Sequence, residues 1–106
     1  ANTNSFYKII QKSALKEERS MKYFDGRKYS GTIYHSDWKY ALLEYGKGMD
    51  ASGVDRVYHL KQALQILNNI PDDTSDPVVD SDDVAERQSL IDEIYNQLQS
   101  FSVFCL

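Results

Sequence analysis

Tyr34-His35-Ser36-Asp37-Trp38-Lys39-Tyr40-Ala41-Leu42-Leu43-Glu44-Tyr45-Gly46-Lys47-Gly48-Met49 is the stretch on which the fold turns. Tyr34, Trp38, Ala41, Leu42, Tyr45 and Met49 fall at i, i+4, i+7, i+8, i+11 and i+15, one face of an α-helix. A stripe of that width is core-facing. Gly46, Gly48 and Gly53 weaken continuation, each costing ~1 kcal/mol relative to Ala inside a helix, so the helix is expected to end near Met49.

Downstream, Ser52 followed by Asp55 resembles a capping pair for a new helix. Val57, Leu60, Leu64 and Leu67 repeat at three and four, and Ala63, Ile66 and Ile70 widen the stripe enough for neighbours on two sides. Pro71 biases Ile70 away from helical geometry and stops the helix there. Six aspartates then follow without Lys or Arg: Asp72, Asp73, Asp76, Asp80, Asp82 and Asp83. The spacing predicts an exposed acidic loop over 71–83. Asp83 with Glu86 marks the next start, placing negative charge at the positive end of a helix. Val84, Ile91, Ile94, Leu98 and Phe101 form its seam, interrupted by Arg87 and flanked by Leu90 and Tyr95.

Upstream, Tyr7, Ile10, Ala14, Met21 and Phe24 predict a helix from about Ser5 to Phe24 with Lys8, Lys12, Lys16 and Arg19 on its wet face. Asp25, Gly26, Ser30 and Gly31 mark a connection. No segment alternates with period two. The expected fold is all-α, a compact antiparallel bundle of about four helices in one domain spanning 1–106.

At 42% hydrophobic and 26% charged residues the chain is too apolar to be wholly disordered. Residues 1–48 carry nine Lys/Arg against five Asp/Glu, a charge of +4, and residues 49–106 carry three against eleven, a charge of −8. Opposed halves attract one another and steer a charged partner. The single Cys105 permits no intrachain disulfide, and no signal-peptide pattern opens the sequence, so a cytoplasmic setting is expected. No run approaches the ~18–20 apolar residues of a membrane span.

Reactive constellations are sparse. His35, Ser36 and Asp37 adjoin in sequence, but neighbours at a helix start do not point at one another, and a catalytic relay needs a spatial arrangement. His59 reads as a partly buried or capping residue on its helix, and His35 with Cys105 is too few donors for a metal site. The aspartate run fails as an EF-hand: counted from Asp72, the third position is Thr74, the sixth is Pro77 where Gly is required, and the twelfth is Asp83 in place of Glu. Gly46-Lys47-Gly48 lacks phosphate-loop spacing. Lys and Arg interleave with Tyr7, Tyr23, Phe24, Tyr29, Tyr34 and Tyr40, yet net acidity and the helical spacing of these aromatics favour core packing over nucleic-acid stacking. No catalytic residue, metal or cofactor is expected, and no nucleic-acid partner.

The run Trp38 to Met49 resembles the aromatic-x-x-Ala-Leu-x-x-Tyr pattern of a helix in microtubule-interacting-and-trafficking (MIT) domains, and tetratricopeptide helices look similar. Lone tetratricopeptide repeats lack the stacked neighbours they need. The MIT resemblance implies an antiparallel three-helix bundle that takes helical or extended peptides in grooves between its helices. The connection before Trp38 is longer than usual and a fourth segment is present, as in an elaborated domain of the type found at the C-terminal end of autophagy-initiating kinases. The resemblance thus implies an adaptor in trafficking or autophagy.

The function expected is noncatalytic: a protein-interaction module with an interhelical groove for a partner helix or short motif. Tyr34, Trp38, Tyr45, Ile94, Leu98 and Phe101 are the candidate anchors, and Asp92 and Glu93 the acidic rim that favours a basic-flanked amphipathic helix. Two alternatives are a structural or oligomerisation subunit using the Val84 to Phe101 seam with Val103, Phe104 and Leu106, and an enzyme or small-ligand carrier with an aromatic cavity.

Overall fold

The computed structural model describes residues 23–72 and 79–105, the side chains of 101–105 excepted. Among these residues there are three α-helices and no strand: α1 (His35–Asp50), α2 (Gly53–Asn68) and α3 (Ser81–Cys105). The helix expected over Ser5 to Phe24 lies outside the described residues except for its last two positions, which are in a turn.

α1 forms where the stripe is clearest. Trp38, Ala41, Leu42 and Tyr45 are buried in one cluster with Leu60, Ala63, Leu67, Leu90, Ile91 and Ile94. Tyr34 is the N-cap, one residue outside the helix, and is half-buried. Gly48 is required inside the helix because α2 approaches closely there. A Cβ on Gly48 would stand 2.9 Å from Leu60 Cδ2 and 3.0 Å from its Cγ, closer than normal contact.

A two-residue turn, Ala51 and Ser52, reverses the chain into α2, and Arg56 fastens the turn. Its Nε donates to the carbonyls of Gly48 (3.2 Å) and Ala51 (3.0 Å), and its Nη2 to that of Met49 (3.1 Å). A cation thereby satisfies carbonyls that the end of α1 leaves without helical partners. Ser52 holds the N-cap position expected of it, but its hydroxyl makes no capping bond. Gly53 follows with φ +62, a left-handed conformation that a side chain resists.

α2 ends at Asn68, two residues before the stop expected at Ile70, because Asn69 and Ile70 bond back to Ile66 and Leu67 in tighter turns. The start of α3 also differs from the expected Asp83–Glu86 pair. Asp83 N donates to Asp80 Oδ1 (2.8 Å) and Asp80 N to Asp83 Oδ2 (3.2 Å), a reciprocal box that begins the helix at Ser81. Val79 and Asp83 are buried, so the end of the acidic stretch is part of the packed structure and not of an exposed loop. Residues 73–78 lie outside the described set.

Residues 23–34 wrap the ends of α1 and α3 through successive turns. Trp38 Nε1 donates to the Asp25 carbonyl (2.8 Å), and Tyr29 N donates to Asp83 Oδ1 (3.0 Å). These ties hold Tyr29 at φ 63, an uncommon value for a residue with a side chain, with its ring 5.8 Å from that of Trp38. α2 is the central helix, packed against α1 along their shared seam and less extensively against α3. Leu90 belongs to the core and not to a flank, and Arg87, which breaks the apolar seam in sequence, is itself 5% exposed.

Candidate functional site

The three helices sort the candidate residues by depth. Trp38, Tyr45 and Ile94 are core residues, Tyr34 and Leu98 pack half-buried at its edge, Asp92 is exposed and Glu93 is intermediate. The Phe101 side chain lies outside the described set. Asp92 and Glu93, adjacent in sequence, point to different sides of α3. Glu93 Oε1 accepts from Tyr45 Oη (3.4 Å) and Gln97 Nε2 (2.9 Å), so Glu93 faces α1. Asp92 accepts from Gln88 Nε2 (3.0 Å) on the outer surface.

Helical geometry then fixes the opposite flank. On α3, Val84, Gln88, Ile91, Tyr95 and Leu98 follow at alternating steps of four and three, away from Glu93. On α2, His59 meets Glu44 of α1, which leaves Val57, Lys61 and Leu64 on the flank turned from α1. Arg87 Nη1 donates to the Leu67 carbonyl (3.2 Å) and ties α3 to the last turn of α2. Leu64, Val84 and Leu98 are half-buried against the core, Tyr95 stands 48% exposed on the α3 flank, and Lys61 is exposed on the α2 flank. Ile33, Tyr40, Val54 and Tyr58 are further exposed apolar side chains, with Val54 at the start of the same α2 flank.

The other polar features are committed to one another. His35 Nδ1 lies 3.1 Å from the Lys28 carbonyl, while Ser36 and Asp37 are exposed. His59 Nδ1 lies 2.8 Å from Glu44 Oε2, and Lys47 Nζ is 3.4 Å from the other oxygen. Glu44 is buried in the α1–α2 seam, a role its sequence position between Ala41 and Gly48 signals only once the seam is known. An open cleft of about 700 Å³ lies against Tyr23, Phe24, Asp25, Arg27, Lys39 and Glu86. Within it Arg27 pairs with Asp25 at 3.2 Å and holds that carboxyl below its ordinary pKa, so the charges there largely cancel. Among the described residues, no group of three or more His, Cys, Asp or Glu side chains is placed to hold a metal ion, and no helix is long and apolar enough to cross a membrane.

No protein-family model matches the chain, and neither the curated proteins nor the solved structures give a match.

Proposed function

We propose that the chain is a noncatalytic protein-interaction module that lays a basic-flanked amphipathic helix or short peptide into a furrow between these flanks of α2 and α3. The observation that carries this reading is Tyr95, an exposed aromatic on the same flank as half-buried Val84 and Leu98. Rigid aromatics beside a desolvated trough are the usual anchors of helix-in-groove recognition. Charge supports the choice of partner: residues 49–106 sum to −8, and Asp92 borders the α3 lip. Since Lys61 stands at the α2 lip, the partner's basic flank belongs along α3. Trp38, Tyr45 and Ile94 act in this reading as the floor's support and not as contacts. The MIT-like pattern of Trp38 to Met49 agrees with it, because such domains take peptides between helices; an adaptor role in trafficking or autophagy and a cytoplasmic setting belong to the same proposal.

A display selection of helical peptides against the intact chain tests this. The reading expects basic-flanked amphipathic sequences whose affinity falls at least about tenfold on Tyr95→Ala, the loss typical of an interface anchor, with the far-UV circular dichroism unchanged. Asp92→Lys is expected to slow association at low salt. Selected peptides indifferent to both substitutions overturn it, as does a concentration-dependent dimer whose interface occupies the furrow.

A further inference from the structure

We propose that Arg87 and Asp72 form an ionic latch that holds α3 onto the α1–α2 hairpin, so that a change at an exposed carboxylate controls the docking of a whole helix. The cation lies in the core. Arg87 is 5% exposed, its Nη1 donates to the Leu67 carbonyl, its Nη2 pairs with Asp72, and its Nε is buried without a hydrogen-bond partner. The anion lies at the surface, for the Asp72 side chain is 69% exposed just beyond Pro71. A guanidinium taken out of water is costly unless its charge is compensated. Asp83, one turn earlier on α3 and also buried, has its oxygens engaged by the backbone amides of Tyr29 and Asp80. Among the described residues, Asp72 is the carboxylate that pairs directly with Arg87.

The rest of the fold makes the consequence local. α1 and α2 are joined by the Arg56 clip, the Gly48–Leu60 interlock and the Glu44–His59 contact, none of which involves α3. α3 packs less extensively on α2 than α1 does. Neutralising Asp72 leaves a buried, uncompensated charge on the helix with the weaker attachment. The expected response is release of α3 from a hairpin that persists, and the proposal stands whether or not the furrow binds a peptide.

Hydrogen exchange on the full chain reads this out helix by helix. Asp72→Asn is expected to accelerate exchange of amides in 84–98 by on the order of tenfold or more while those of α1 and α2 keep their protection. Asp72→Glu, which restores the charge, is expected to restore protection. In an Arg87→Met background, where the buried charge is gone, Asp72→Asn is expected to change nothing further. Unchanged α3 exchange in Asp72→Asn overturns the latch, as does equal acceleration in all three helices or an undiminished effect of Asp72→Asn in the Arg87→Met background. If Arg87→Met does not fold, the contrast between the Asn and Glu variants decides alone.

Discussion

Removing the indole of Trp38 probes the packing on which the bundle depends. The side chain is fully buried, its ring lies 5.8 Å from that of Tyr29 and its Nε1 donates to the Asp25 carbonyl at 2.8 Å. Trp38→Ala loses the transfer free energy of a large aromatic, leaves a cavity bordered by Tyr29 and removes a tie between α1 and the 23–34 segment. Together these are worth roughly 3–5 kcal/mol. A domain of this size has about 5–15 kcal/mol in total, so the variant is expected to be barely folded or to melt far below the parent. Trp38→Phe separates the contributions, since it keeps an aromatic ring but leaves the Asp25 carbonyl without its donor, for a loss of roughly 1.5–3 kcal/mol. Urea unfolding followed by far-UV circular dichroism is the assay, because the substitution removes the fluorophore. The midpoints should fall in the order wild type, Phe, Ala with a common slope. A loss below about 1 kcal/mol for Trp38→Ala would refute the placement of this ring at the centre of the core.

Three further substitutions test neighbouring parts of the account. Gly48→Ala gains ~1 kcal/mol of helix propensity but drives a methyl into Leu60, and the overpacking cost of about 1–3 kcal/mol makes the net effect destabilising; adding Leu60→Val should recover part of the loss in a double-mutant cycle. Arg56→Ala should cost about 1–2 kcal/mol in the same unfolding assay, and Arg56→Lys should not rescue it, since one ammonium lacks the fork that reaches three carbonyls. Burial raises the pKa of Tyr29 above its ordinary value of 10.0, with nearby Arg87 opposing and Asp83 and Asp80 adding to the rise. The folded chain therefore holds this proton more tightly than the unfolded chain. Stability from this group is complete below pH ~10 and falls as pH rises beyond it, and Tyr29→Phe should flatten that alkaline decline in unfolding measured across the range.

The sequence makes α1 readable because its apolar residues keep a single helical phase from Trp38 to Tyr45, and burial follows that phase. The α3 start is ambiguous in the sequence, since both Asp80–Asp83 and Asp83–Glu86 satisfy the same local spacing. What decides between them is distant: Asp83 also receives Tyr29 N, and Glu86 instead accepts from Asp25 N at 3.4 Å. Arg87 reads as a flaw in an apolar seam for a similar reason, as its partner carbonyl on Leu67 is twenty residues away. Periodicity also places Tyr45 and Ile94 on the right faces without telling a core contact from a partner contact. Only the two sides of α3, one bonded to Tyr45 and one turned outward, separate Glu93 from Asp92 and single out Tyr95.

The most direct test of the interaction reading is an amide chemical-shift map of the intact chain titrated with a selected basic-flanked helical peptide. The account predicts saturable shifts confined to the α2–α3 furrow, at Val57, Lys61, Leu64, Val84, Ile91, Tyr95 and Leu98, and abolished by Tyr95→Ala. Saturable shifts centred instead on α1 and the turn before it, around Tyr40 and Ile33, would contradict it.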